Sequence, residues 1–335
     1  MRLDVTAVGA LNVDVVVDAA VGGIAPTPDD PTARDSEESV DAAGMARLLR
    51  SVESLPRSVR LGGSAYNALV RLAHTRPDLA LGFTGVAGAP PFGARSHSHE
   101  LRALGVDTAG IAAVPEQAGV CLAIEDGDAR RLHVHPGANL RMAAHLRDSF
   151  DAIVGRLARS RFVHVTSFLD DTTPTELHRV LREVRRRSPA TVICLDPGDE
   201  WCARPSADVA ALVGVADYVL VNEREFGGIA DLARGPVVVK CPDGADIWLR
   251  GTRRARIAHA RLAAGDIRNP TGAGDAFAAG LLAGFLTPPQ DTSPSEAFAR
   301  AVDGGRDEAA LGRGARLGLQ FAREHLLGAE SRPGS

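Results

Sequence analysis

The stretch from Asn269 to Leu286, Asn-Pro-Thr-Gly-Ala-Gly-Asp-Ala-Phe-Ala-Ala-Gly-Leu-Leu-Ala-Gly-Phe-Leu, constrains this chain more than any other. Pro270 and Thr271 end whatever strand precedes them. Gly272, Ala273 and Gly274 leave the backbone nearly bare, and the apolar run that follows is long and regular enough for a buried helix. The glycine turn therefore stands at a helix N-terminus. Free amides and the positive end of the helix dipole make such a turn an anion site, and little side chain blocks a phosphate there. Asp275 runs against that charge logic, because a carboxylate is repelled by the ligand the turn attracts. Either it caps the helix or it accepts a proton, and the residue types alone do not choose.

A chain of 335 residues has length for one large or two ordinary domains. Its 38 basic and 42 acidic residues leave a net charge of −4, which argues against a nucleic-acid partner held by bulk positive charge. A hydrophobic content of 45% with only 4% aromatic residues fits an α/β protein better than an aromatic-rich sandwich. Cys121, Cys194, Cys202 and Cys241 form no C-x-x-C pair and read as reduced thiols of a cytoplasmic protein. The N-terminus carries Arg2, Asp4 and Asp14 and reads as a strand instead of a signal peptide, and no run of 18 apolar residues occurs, so no membrane partner is expected.

Val5 to Asp18 is a Val-rich run that predicts one buried first strand. Asn12 and Asp14 interrupt it at alternate positions, so both side chains share a face, either as a polar patch or as a strand end meeting solvent. From Gly22 to Ser58 the composition shifts to Pro, Asp, Glu and Ser, with a short helical pattern at Met45 to Val52; this predicts an insertion or lid. At Arg60 to Ala73 a Gly62-Gly63 turn opens a helix, and Asn67 lies one turn in. The turn either brings backbone to a ligand or serves packing. Leu79 to Val86 predicts a strand and Phe92 to Leu104 a helix. Val120 to Ile124 and Arg131 to His135 flank Glu-Asp-Gly-Asp and predict a hairpin in a small accessory sheet. His133, His135 and Cys121 lack a fourth ligand at metal-site spacing, so no metal is expected there.

From Ser149 the pattern alternates regularly: strands at Phe162 to Thr166, Thr191 to Asp196, Tyr218 to Asn222, Val237 to Cys241 and Ile247 to Arg250, and helices at Thr175 to Arg187 and Ala207 to Val213. Alternation of this kind predicts a mostly parallel, three-layer sheet with ligands at the C-terminal ends of its strands, where Asp196, Asn222, Glu223 and Glu225 fall. Helices at Glu296 to Val302 and Arg306 to Leu326 complete the expected domain at about residue 328, and residues 329–335 read as a frayed tail.

Gly-Ala-Gly-Asp at 272–275 with Phe277, and Gly-Gly-Ser-Ala-Tyr-Asn at 62–67, resemble the two signatures of the PfkB (ribokinase-like) family of carbohydrate and nucleoside kinases. The resemblance runs from the Gly-x-x-Asn-x-Asp start at Gly9 to Gly314 and Ala315. It implies a ribokinase-like α/β/α sandwich with a β lid from segments about 15–58 and 118–136, and a homodimer through the lid is a candidate assembly. It implies that Asn12, Asp14, Gly62, Gly63 and Asn67 hold the substrate and that Asp275 is the base, with Gly272, Ala273 and Gly274 as anion hole. It further implies a nucleotide set of Asn222, Lys240, Gly244, Asp303 and Gly314, with Glu225 organising Mg²⁺ through water and ATP as co-substrate. No G-x-x-x-x-G-K-[ST] loop occurs, so a Walker-type site is not expected.

The chain departs from that pattern at several positions. Asn269 stands where the family commonly has an Asp that helps build a monovalent-cation site, so K⁺ dependence is expected to weaken. Pro242 replaces a frequent glycine, Asp303 a frequent Asn, and Ala89, Pro90 and Pro91 an acidic pair. Thr166, Ser167 and Phe168 stand where ribokinases usually have Glu. The expected activity is phosphorylation of a hydroxymethyl or similar alcohol on a sugar-like molecule. The alternatives are a nucleoside kinase, with Tyr66 and Phe168 stacking a base, and a non-catalytic sugar-binding relative.

Overall fold

The computed structural model describes residues 2–18, 36–126, 129–287 and 308–329. In chain order the strands are β1 (Leu3–Val8), β2 (Asn12–Asp18), β3 (Ser36–Ser39), β4 (Arg57–Gly62), β5 (Leu81–Ala89), β6 (Asp107–Gln117), β7 (Gly119–Asp126), β8 (Ala129–His135), β9 (Ser160–Thr166), β10 (Val192–Asp196), β11 (Tyr218–Asn222), β12 (Val237–Cys241), β13 (Gly244–Leu249) and β14 (Thr252–Ala258). Nine of them form one sheet in the order β14-β13-β12-β11-β10-β9-β1-β5-β6. Its strands from β12 to β6 pair in parallel, and the hairpin of β13 and β14 is antiparallel.

Strands covered on both faces need apolar residues at successive positions, and β10 and β11 have them. Val192 and Cys194, with Tyr218 and Leu220, point into one core; Ile193 and Leu195, with Val219 and Val221, point into the other. The helices Ser64–Thr75, Ala273–Leu286 and Glu308–Leu326 cover the first face. Met142–Asp148, Phe150–Leu157, Thr173–Arg187 and Ala207–Val215 cover the second. This is a ribokinase-like three-layer α/β/α arrangement.

The remaining five strands form a smaller sheet, ordered β3-β8-β7-β2-β4. Val13, Val15 and Val17 of β2 and Val120, Leu122 and Ile124 of β7 bury one face against Met45 and Leu49 of the helix Ala42–Ser51. Asn12 and Asp14 alternate with those valines and so belong to the opposite face. The expected hairpin is present as β7 and β8. His133 pairs with Leu122 and Cys121 with Val134, so the histidine and the cysteine lie on opposite faces. Among the described residues no group of three His, Cys, Asp or Glu could hold a metal ion.

Three expectations need correction. The run Val5 to Asp18 is two strands in two sheets. Gly9 N–H makes the last bond to the large sheet, on Thr84 O at 3.3 Å; by Leu11 the backbone has turned to Asn139, and Asn12 opens the small sheet. The helix expected at Phe92 begins only at His97, because Ser96 caps it and Pro91–Gly93 form a separate 3₁₀ turn. The final strand expected to end at Arg250 runs instead from Gly244 to Leu249, and β14 follows it. The expected helix at Glu296 to Val302 lies outside the described residues, as do 22–35 of the lid and 330–335 of the tail.

Candidate active site

The chain passes between the two sheets four times, and the residues expected to hold substrate sit at the first two of these crossings. At the first, Asn12 Oδ1 accepts from Asn139 Nδ2 at 2.8 Å, while Asn139 Oδ1 accepts from Leu11 N–H at 2.9 Å. His97 Nε2 lies 2.8 Å from Asn12 O. Burial depresses the His97 pKa to about 4, against bonds to the Asn12 and Gly62 backbone, so the ring is neutral at physiological pH. At the second crossing Gly62 lies against the Asp14 carboxylate, in a space a Cβ would fill. Gly63 has φ +110°, which L side chains rarely adopt, and it turns β4 into the helix Ser64–Thr75. One turn in, Asn67 Nδ2 donates to Asp275 Oδ2 at 2.8 Å. That bond joins two motifs 208 residues apart.

Gly272 has φ +93° and is the N-cap of the helix Ala273–Leu286, with no side-chain cap. Ala276 N–H makes a helical bond on Gly272 O at 2.9 Å. The amides of Ala273, Gly274 and Asp275 therefore precede the ladder and point out of the helix end. His325 Nε2 lies 2.7 Å from Thr271 O, and Arg268 N–H donates to Leu326 O at 2.7 Å, so the end of the last helix holds the segment that delivers the turn. Asp275 is not the cap. Its carboxylate turns instead to Asn67 and Ser64. Burial, and then the Asp196 charge, push its pKa up to about 6, against the bond from Asn67 and the Lys240 charge.

On the other side of the turn, Asn222 and Glu225 form a capping box for the helix Glu223–Ile229: Asn222 Oδ1 accepts from Glu225 N–H at 2.9 Å and Glu225 Oε2 from Asn222 N–H at 2.8 Å. Burial holds the Glu225 carboxyl above the usual range. Beside them opens a cavity of about 400 Å³. Its lining combines the polar Asn222, Glu223, Arg224 and Lys240 with the turn residues Ala273 and Gly274 and with Cys241, Pro242, Phe277, Leu319, Ala322 and Leu326.

The structure thus brings Asn67 onto Asp275 and Gly62 onto Asp14, while Asn222 and Lys240 share the cavity with Gly274. Gly244 and Gly314 do not line this cavity. Gly244 opens β13 against the Ile257 carbonyl, and Gly314 packs on Leu281 and Gly284. Asp303 lies outside the described residues. Asn139, His97, Ser64 and the Asp196 carboxylate complete the site without having been named as site residues from the sequence. Asp196 fell at a strand end, whereas Asn139 comes from a 3₁₀ turn that carries no motif.

The family model described as pfkB family carbohydrate kinase matches residues 54–306. No curated protein matches the sequence. Among solved structures, adenosine kinase from Sinorhizobium meliloti superposes with a TM-score of 0.70 at 19% identity, covering 100% of this chain and 97% of that one. Ribokinase from Giardia lamblia gives 0.72 at 15% identity, over 100% and 94%. The Burkholderia thailandensis nucleoside kinase in complex with inosine gives 0.60 at 18% identity, over 96% and 94%. At these identities the neighbours establish the fold, and the family match, which spans most of the chain with Asn67 and Asp275 inside it, establishes the lineage: the chain belongs to the PfkB family of carbohydrate kinases.

Proposed function

We propose that this protein transfers the γ-phosphoryl group of ATP to a hydroxymethyl or similar alcohol of a sugar-like molecule, with Asp275 as base. The observation that carries this reading is the placement of Asp275. It is held by Asn67 from the acceptor side and stands at the end of the free amides of residues 273–275. Transfer of a phosphoryl group depends on positioning and on neutralising charge more than on covalent help. The acceptor hydroxyl gives its proton to the Asp275 carboxylate as its oxygen bonds to the γ-phosphorus; the bond from that phosphorus to the bridging oxygen breaks, and ADP leaves with the electron pair. The three amides receive the developing charge, each preorganised donor contributing roughly 3 kcal/mol. Asn12, Asp14 and Asn67, with the bare backbone at Gly62 and Gly63, hold the acceptor's hydroxyls.

Mg²⁺ retains several waters and binds mainly phosphate oxygens. The described residues offer it no three-carboxylate cage, and a buried Glu225 anchored by Asn222 fits contact through water. Bound there, it would neutralise phosphate charge. Tyr66 and Phe168 are 7% and 1% exposed, and Phe168 O accepts from Trp201 Nε1 at 3.0 Å. Both are core residues with no open ring face for a base, which favours a sugar-like acceptor over a nucleoside. A panel of sugars, sugar acids, polyols and nucleosides with coupled ADP detection tests the reading. A sugar-like acceptor should stand out; a nucleoside turned over faster than every sugar would replace the acceptor class, and no ADP release with any acceptor would overturn the activity.

A further inference from the structure

Lys240 and Asp196 form an ion pair between the anion turn and the nucleotide cavity, at the C-terminal ends of the adjacent part of the sheet. Nζ donates to Asp196 Oδ2 at 2.9 Å, and the two side chains are 17% and 12% exposed. Enclosed pairs of this kind are weak devices for stability, since desolvating two charges offsets most of their attraction. A core position at the end of β12 could be filled more simply by an apolar residue. The position of the ammonium group gives a better reason for it. A Cβ built on Gly274 would lie 3.5 Å from Lys240 Nζ, and Lys240 lines the cavity beside Ala273 and Gly274. A phosphoryl group resting on the turn amides would thus meet the lysine from the side. An ammonium has three donors, and Asp196 takes one of them.

The surrounding charges point the same way. Burial works against the charged lysine, but Asp196, Glu225 and Asp275 together hold its pKa above the ordinary lysine value, so it is a cation throughout the working pH range. Carboxylates this near the turn are unfavourable for a polyphosphate. Lys240 is a cation beside that turn, and the bond to Asp196 holds its ammonium group there.

Resting on the kinase reading above, we propose that Lys240 is a catalytic residue that bonds the γ-phosphoryl group during transfer, and that Asp196 is the positioning residue that aims it. In this arrangement the lysine keeps one hydrogen bond to Asp196 and places its other donors on phosphoryl oxygens. It lines the cavity together with Asn222 and the turn residues Ala273 and Gly274. Its contact is specific to the third phosphate, because it reaches the cavity at Gly274, where the transferred group sits.

The test compares equilibrium binding of ADP and of an imido-bridged, non-hydrolysable ATP analogue, both with Mg²⁺, to the parent protein, to Lys240→Met and to Lys240→Met/Asp196→Asn. The double variant replaces the pair by neutral side chains of similar size and so leaves no unpaired buried carboxylate if the single variant fails to fold. Lys240→Met should weaken the analogue by about tenfold or more and ADP by no more than about twofold, and the double variant should show the same loss of preference for the analogue. Equal weakening of both ligands, or recovery of the parental preference in the double variant, would mean that Lys240 only neutralises Asp196 and would overturn the proposal. A parent protein that binds neither nucleotide would overturn the kinase reading and this inference with it. On the acceptor found by the panel, Asp196→Asn should lower kcat by about tenfold with KM for ATP nearly unchanged, as loss of aim without loss of binding requires. An unchanged kcat would remove Asp196 from that role.

Discussion

Asp275 carries opposing demands, and each has a measurable sign. A base must be ionised in the free enzyme, so kcat/KM should rise with pH through an apparent pKa near 6 and then level. Asp275→Asn keeps the size of the side chain but takes no proton; kcat should fall by roughly 10² or more, with acceptor Kd little changed. The same residue should weaken the folded protein at neutral pH. Its folded pKa, about 6, lies above its ordinary value of 3.8, so the folded state holds the proton more tightly than the unfolded one. The associated stability is fully present below about pH 4 and is lost as pH rises through 6. Asp275→Asn should therefore raise the melting temperature by a few degrees at pH 7.5 and hardly at all at pH 4; a lower melting temperature at pH 7.5 would show that the carboxylate is a structural asset. At Asn269 a neutral amide replaces one negative charge, which lowers the attraction for a cation nearby. Activity at constant ionic strength in potassium, sodium and a bulky organic cation should differ little, and a large potassium-specific stimulation would refute this.

Among elements, the helix Ala273–Leu286 was the most legible in the sequence, because a run that is apolar all round can only be buried, and residues Ala276 to Leu286 are. Its pairing with the last helix, itself expected at Arg306 to Leu326, was not legible. The sequence shows that Gly280, Gly284, Gly314 and Gly318 exist, but only the packed pair shows that they face one another: a Cβ on Gly284 would lie 2.6 Å from Gly314 Cα, and one on Gly280 2.7 Å from Gly318 Cα. Gly314 thus joins the two helices, although its place in the family motif pointed to the nucleotide. One of the elements without a sequence reading, β6, mixes half-buried small and polar residues at the edge of the sheet, so neither period stands out. The break at Gly9 was hidden for the opposite reason, since both strands it separates are Val-rich and an unbroken apolar pattern conceals a change of sheet. The helix pair gives a prediction in which two effects oppose. In a helix interior Gly→Ala ordinarily stabilises by about 1 kcal/mol, but Gly284→Ala must push two backbones apart and should instead destabilise by about 1–3 kcal/mol. Denaturant unfolding decides the sign, and a gain in stability would show that the interface has room.

At the scale of the whole molecule, the acceptor side of the site is a seam between two separately cored sheets. The large sheet is packed on both faces, while the small one has its own core against the helix Ala42–Ser51 and presents Asn12 and Asp14 on the other side. The chain's own helix covers one face of the small sheet; a homodimer through this sheet is a proposal that light scattering during gel filtration tests, and a mass near 35.1 kDa would overturn it. The small sheet is joined to the large one through short links at residues 9–11, 63 and 118 and through the longer segment 136–159. An acceptor that bonds Asn12 and Asp14 from the small sheet and Asp275 from the large one has differential affinity for the closed arrangement, which is what a shift in population requires. Hydrogen exchange measured with and without saturating acceptor should therefore show slower exchange in β2, β4 and β7 and at the start of the helix Ser64–Thr75. The helix Thr173–Arg187, packed on the far face of the large sheet, should exchange at the same rate in both conditions. Nucleotide alone should leave the small sheet unchanged, since the cavity proposed to receive it is lined by the large sheet's strands and helices. Uniform protection across both sheets would indicate global stabilisation by ligand, and no protection in β2 and β4 would mean that the small sheet does not close on the acceptor.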